Sequence, residues 1–205
     1  MIEFKNLPSL FETMSKRIVS FLPSATELLY ELGVENDLYG VTHECKYPQE
    51  ATTKPQVISS VIDSEKLSSK EIDTITCQLL NDEKDIFVLN EKNLKDADPD
   101  LIISQETCEV CAAHTNQVNK AVQILQRKPI LHSMDPHNMQ EIIDSVMSLG
   151  KILQKESKAK EIVTSLEKRI ENIKTQCKYK KPNVLAIEWI EPFLLQVIGF
   201  QKWLN

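Results

Sequence analysis

Apolar residues along this chain follow two rhythms, short unbroken runs of branched side chains and longer stretches in which they recur every third or fourth position. Ile18-Val19-Ser20-Phe21-Leu22 is a run of the first kind and predicts a buried strand over residues 17–22, stopped by Pro23. Ser24 then stands as a helix N-cap with Glu27 three residues on, and Ala25, Leu28, Leu29 and Leu32 mark one helical face as far as Gly33. Residues 38–42 read as a second strand. The chain therefore opens as a βαβ unit with a right-handed crossover.

Residues 48–67 carry turn formers and weak periodicity and read as an ordered loop. Ser68, with Glu71 at the capping-box position, starts a helix running to about residue 80. Residues 86–90 predict a third strand, and the turn Asp98-Pro99-Asp100 launches a fourth over residues 101–104. A helix over 115–127 buries Val118, Ala121, Val122 and Leu125, and residues 129–132 make a fifth short strand. Asp135-Pro136 starts a helix carried by Met139, Ile142, Ile143, Val146 and Ile152 to about residue 153. After a polar break at 154–156, Ile162, Leu166, Ile170 and Ile173 define another helix to about Cys177, roughly 30 Å long at 1.5 Å per residue.

Strands alternating with helices imply an α/β fold, a doubly wound and mostly parallel sheet, followed by a long connecting helix. The expected organisation is a ligand-binding lobe over 1–153, a connecting helix and linker over 154–181, and the start of an incomplete second α/β lobe over 182–205, opened by a strand at 184–189. Ligands of such sheets sit beyond the carboxyl ends of the strands. Pro23-Ser24, His43-Glu44-Cys45, residues 106–111 and Ser133-Met134-Asp135 fall on that edge.

Charge is unevenly spread. The net charge of −6 hides a first stretch of 150 residues with thirteen basic and twenty-four acidic groups, next to residues 151–181 with ten basic and four acidic. A basic helix could bind nucleic acid, but aromatic residues do not interleave it and the acidic lobe beside it would repel phosphate, so a solvated helix face is the better reading. No run approaches the roughly 20 apolar residues of a membrane-spanning helix. Glu3 and Glu12 interrupt any signal-peptide pattern, which gives a cytoplasmic expectation as the sequence stands and an extracytoplasmic one if the true N-terminus lies upstream. Five cysteines without a signal favour reduced thiols.

Two loops carry the candidate chemistry. His43, Cys45, Cys108 and Cys111 would, if the loops met, offer soft ligands to zinc or another thiophilic ion. Cys108-Glu109-Val110-Cys111 could also be a redox pair, although it does not follow the first core strand. Against both, buried cysteines are commonly small packing residues, the natural reading for Cys77 and Cys177. His132 and His137 flank the Asp135-Pro136 turn and read as helix-start residues. The residue types offer no nucleophile–base pair, Gly-rich phosphate loop or HExxH, so an enzyme is not expected.

Taken in order, residues 17–27, the 42–48 loop, Asp98-Pro99-Asp100-Leu101-Ile102, Cys108 to Ala112, and Ile187-Glu188-Trp189-Ile190-Glu191-Pro192-Phe193 resemble the cobalamin-binding branch of the iron-siderophore and cobalamin solute-binding proteins of ABC importers. The resemblance implies two α/β lobes joined by a stiff helix, a corrinoid or metal chelate held between the carboxyl edges of their sheets, no obligatory cofactor, and an importer permease as partner. By the same resemblance Pro23, Ser24, His43, Glu44, Tyr47, Glu106, Cys108 and Glu109 would face the ligand from the first lobe, and Trp189 and Glu191 from the second. Neutral His43 could serve a corrinoid cobalt as axial ligand, or simply hydrogen-bond within its loop. The competing class is a cytoplasmic thiol-based metal-binding or redox protein using Cys108 and Cys111 with His43 and Cys45.

The ending departs from the family. Where relatives continue Phe-Thr-Ala-Gly-His-Trp-Val-Pro-Glu-Met-Val, this chain has Leu194-Leu195-Gln196-Val197-Ile198-Gly199-Phe200-Gln201-Lys202-Trp203. One set of codons encodes both strings when read one base apart. The expectation is an out-of-frame ending that truncates the second lobe and leaves the strand at 184–189 without its sheet partners.

Overall fold

The computed structural model describes residues 16–105, 115–176, 185, 187–189 and 194–195. The first strand, β1 (Ile18–Ser20), is wholly buried and has parallel neighbours on both sides. Around it the chain builds a helix α1 (Pro23–Glu31), a strand β2 (Leu38–Thr42), a strand β3 (Gln56–Ser60), a helix α2 (Ser69–Asn81) and a strand β4 (Phe87–Leu89). A short helix α3 (Glu91–Ala97), β5 (Leu101–Ser104), α4 (Thr115–Ile124), β6 (Ile130–Ser133), α5 (Met139–Ile152) and α6 (Glu156–Gln176) follow. The sheet order is β4-β3-β2-β1-β5-β6, with only β4 antiparallel. The expected α/β class and mostly parallel sheet are what the chain forms.

Side chains that alternate along the central strands feed two separate cores. Ile18, Leu101 and Ile103 point to one face and pack with Leu29, Leu149 and Val163 from α1, α5 and α6. Val19 and Ile102 point to the other, with Val57, Phe87, Leu94 and Ala121. Each fully buried aliphatic side chain contributes about 1.5–3 kcal/mol, so burial on both faces of three strands outweighs their brevity. Gly40 makes the centre possible, because a Cβ there would lie 2.6 Å from Val57 Cγ1 and 3.2 Å from Val19 Cγ2.

Several elements differ from the sequence expectation. Residues 48–67 were expected to be a loop, yet β3 lies within them, paired with β2 on one side and β4 on the other. Its own apolar content is only Val57 and Ile58, so pairing, not pattern, makes it a strand. Helix α3 was not expected either: Asn90 accepts a bond from Asn93 N at 3.0 Å, Leu94 and Ala97 are buried, and Asp98 at φ 37° ends it after two turns. Ser24 is not an N-cap. Leu22 holds that position with no side-chain bond, and Pro23 sits inside the first turn, where its missing N–H costs nothing. Helix α5 is capped by Asn138, which accepts from Glu141 N at 3.0 Å, and not by Asp135. The box at Ser68 and Glu71 forms as expected.

Helix α6 joins the lobe only at its start, where Ala159 and Val163 are buried against the first core and a Cβ on Gly150 of α5 would collide with Ala159. Further along, Ile173 is 63% exposed. The last described strands, β7 (Ile187–Trp189) and β8 (Leu194–Leu195), pair antiparallel with Ile187 opposite Leu195. Among the described residues these two strands form a sheet of their own, separate from the six-stranded one. None of the described helices is long and apolar enough to cross a membrane.

Candidate functional site at the carboxyl edge of the sheet

The two edges of the parallel sheet are chemically different. At the amino edge Arg17 lies 3.9 Å over the Tyr39 ring and donates from Nε to Ala97 O at 2.6 Å. Arg127 pairs there with Asp98 and Asp100, its Nε 2.9 Å from Asp98 Oδ1. These bonds stitch loops together. At the carboxyl edge, by contrast, all five parallel strands end in a hydroxyl residue: Ser20, Thr42, Ser60, Ser104 and Ser133.

Three of those hydroxyls fold the following chain back on itself. Ser20 Oγ donates to Leu22 O at 2.9 Å, Glu44 N donates to Thr42 Oγ1 at 3.0 Å, and Ile62 N donates to Ser60 Oγ at 3.0 Å. Such bonds offer the backbone a turn in place of another ladder rung, so each strand stops and its loop starts at a defined angle. His43 N donates to Ile58 O at 3.0 Å, which holds the 43–48 loop against β3.

On that loop His43 is 23% exposed, Glu44 half-exposed and Tyr47 66% exposed. His43 Nε2 stands 3.1 Å from Glu44 Oε1, and the ring is tilted against Phe87 with centroids 6.2 Å apart. Nδ1 is enclosed and has no hydrogen-bond partner among the described residues. Pro23 is half-buried and Ser24 exposed, both in the first turn of α1.

Cys45 is turned inward. It is 3% exposed, belongs to the first core, and its Sγ lies 3.1 Å from Thr26 Oγ1 and 3.6 Å from Thr42 Oγ1. His43 and Cys45 therefore do not present a joint ligand pair. Among the described residues no group of three or more His, Cys, Asp or Glu could hold a metal ion. Cys108 and Cys111, the other half of the expected metal set, lie outside the described residues, as do Glu106, Glu109, Glu191 and Cys177. Trp189 lies in β7. Cys77, expected to be buried, is exposed on α2.

Two hollows were not anticipated from sequence. One, of about 300 Å³, opens where β6 meets α5 and is lined by His132, Ser133, Asp135, Glu141, Asp144 and Ser148. His132 Nε2 is enclosed and has no partner among the described residues, and burial pushes its pKa below the usual 6.5. His137 Nε2 pairs with Asp135 Oδ2 at 3.2 Å. The other hollow, about 510 Å³, lies between α1 and the Tyr47-Pro48 turn, with Glu27, Glu31, Glu35 and Glu50 around Tyr30. Burial, then Glu50 and Glu35, raise the Tyr30 pKa. Glu27 and Glu31 of α1, four residues apart on one helical face, were the available signal.

Comparison with known proteins agrees with this geometry. A profile of the family described as periplasmic binding protein matches residues 18–193. An uncharacterized ABC transporter substrate-binding lipoprotein of Bacillus subtilis (strain 168), YvrC, is 26% identical over 163 residues, covering 80% of this chain and 42% of the relative. Among solved structures, the periplasmic vitamin B12 binding protein BtuF of Vibrio cholerae superposes with a TM-score of 0.60 at 18% identity, covering 86% of this chain and 56% of that one. The periplasmic heme-binding protein RhuT of Roseiflexus sp. RS-1 gives 0.57 at 16% identity, covering 84% and 55%. At these identities the structures speak for the fold alone. The chain spans about half the length of the proteins it matches. With the family match running across most of its length, the chain belongs to the periplasmic binding protein family.

Proposed function

We propose that this chain is the ligand-binding wall of a solute-binding protein serving an ABC importer, and that its cargo is a metal chelate of the corrinoid type. The carrying observation is the contrast between the edges: five parallel strands end together in hydroxyl residues, whereas Arg17 and Arg127 close the opposite side. Membership of the family and the description of the Bacillus relative support the transport role and an importer permease as partner. The word lipoprotein in that description favours work outside the cytoplasm. His43, Glu44 and Tyr47 supply hydrogen-bonding groups for the amide-rich rim of a corrin, Pro23 and Ser24 the neighbouring wall. The protein binds its cargo and does no chemistry on it.

The test is a visible-absorbance and calorimetric titration with aquocobalamin, with hemin in parallel and metal analysis of the purified protein. A band shift with saturable heat for aquocobalamin supports the reading. Response to hemin alone keeps the chelate and replaces the corrin. Silence toward both, together with about one zinc per chain, would hand the case to the thiol-based metal site that Cys108 and Cys111 could form.

A further inference from the structure

Five side-chain and backbone groups beneath the 43–48 loop have only one mutually satisfying arrangement of protons. Thr42 Oγ1 accepts from Glu44 N at 3.0 Å, so its own proton is left to donate, and the thiol of Cys45 at 3.6 Å is the acceptor in reach. Thr26 Oγ1 donates to Leu22 O at 3.3 Å, which leaves its lone pairs for the Cys45 proton at 3.1 Å. Reversing any link strands a buried donor, and each of the three side chains is at most 4% exposed. We infer that Thr42, Cys45 and Thr26 form a buried relay, running from Glu44 N–H to Leu22 C=O, that locks the loop carrying His43, Glu44 and Tyr47 to the start of α1 carrying Pro23 and Ser24.

The relay joins what the sheet leaves separate. Loops after β1 and β2 leave adjacent strands, but no ladder bond connects them beyond the strand ends, and exposed loops of this length otherwise open readily. Ser20 Oγ donates to the same Leu22 carbonyl at 2.9 Å, so the anchor at the far end is itself fixed to β1. Hydrogen-bonded chains in a low-dielectric interior polarise one another, which makes the links cooperative and gives a weak thiol donor a role that it would not have alone. Cys45 is a positioning residue: it touches no ligand and acts through Thr42 on the Glu44 amide. Its value to binding rests on the function proposed above, whereas its effect on loop order does not.

The experiment uses the whole chain and two readouts, amide hydrogen exchange at Glu44 and affinity for aquocobalamin. Thr42→Val and Cys45→Ala break the relay, and Thr26→Val breaks it from a different element. Thr42→Ser keeps the hydroxyl, and Val163→Ala lowers stability from α6 without touching any hydrogen bond of the relay. Glu44 exchange should rise about tenfold in the three broken variants, with affinity weakened by about the same factor, and neither should move in Thr42→Ser or Val163→Ala. An unchanged Glu44 amide in Thr26→Val overturns the relay. Faster exchange with unaltered affinity overturns its positioning role. If the wild type binds neither aquocobalamin nor hemin, the functional reading fails while Glu44 exchange still decides the relay.

Discussion

His132 shows how a single side chain ties this lobe to pH. Its imidazole is half-buried at the end of β6 with Nε2 enclosed, and burial disfavours the charged form. The folded state then binds a proton less readily than the unfolded state, so unfolding takes one up, and stability falls as pH drops below about 6.5 toward the lower folded value. Thermal midpoints between about pH 7.5 and about pH 5.5 should fall more steeply in the wild type than in His132→Asn; parallel slopes would remove His132 from the account. Gly40 works through space instead. In Gly40→Ala the new methyl meets Val57 Cγ1 and Val19 Cγ2, both on wholly buried side chains, and the overpacking should cost about 1–3 kcal/mol in urea unfolding with an unchanged slope. Residue placement at the site was legible only in part. The run ending at Thr42 put His43 to Tyr47 at the carboxyl edge, but beyond a strand's last residue the in-out alternation lapses, so nothing in the string said that Cys45 turns inward while Glu44 turns out.

Helix α2 is the element whose stability is most local. It has no fully buried residue, and Leu80 is 42% exposed, so its first turn depends on the Ser68 box, in which Ser68 N donates to Glu71 Oε2 at 2.8 Å and Glu71 N to Ser68 Oγ. Ser68→Ala should cost about 1 kcal/mol, and because little packing couples α2 to the sheet, the loss should appear as roughly fivefold faster amide exchange at residues 72–76 with the β1 and β5 amides unchanged. A matching rise in β1 would mean that α2 and the sheet open as one unit. The same logic separates the elements that sequence revealed from those it hid. Ile18-Val19, Leu101-Ile102-Ile103 and the i, i+3, i+4 stripe of α5 carry their own burial and were readable. Strand β3 and helix α3 borrow theirs, β3 from pairing with β2 and β4, α3 from Leu94 and Ala97 dropping into a core that other elements build. Their own residues are mostly polar, and no window of periodicity resolves two turns of helix.

At the scale of the molecule, the described cleft has one wall. On the proposed reading a corrinoid resting on the carboxyl edge would touch the 22–24 and 43–48 loops on one side, with no second wall among the described residues, although binding pockets commonly bury 70–90% of a ligand's surface. Affinity follows from what is left. If two apposed lobes give a nanomolar complex, about −12 kcal/mol, and one lobe keeps roughly half of the favourable contacts while the loss of translational freedom stays the same, the remainder is about −6 kcal/mol or less. Calorimetry on the 205-residue chain should therefore give a Kd for aquocobalamin weaker than about 40 µM, one ligand per chain, with the negative heat capacity of apolar burial about half that expected for an enclosed ligand. A solvent-facing cobalt also predicts cyanide exchange on the bound corrinoid close to the free rate. A nanomolar Kd with cyanide exchange slowed tenfold or more would contradict the one-walled site, because only a second covering surface, from this chain or another copy, could produce both together.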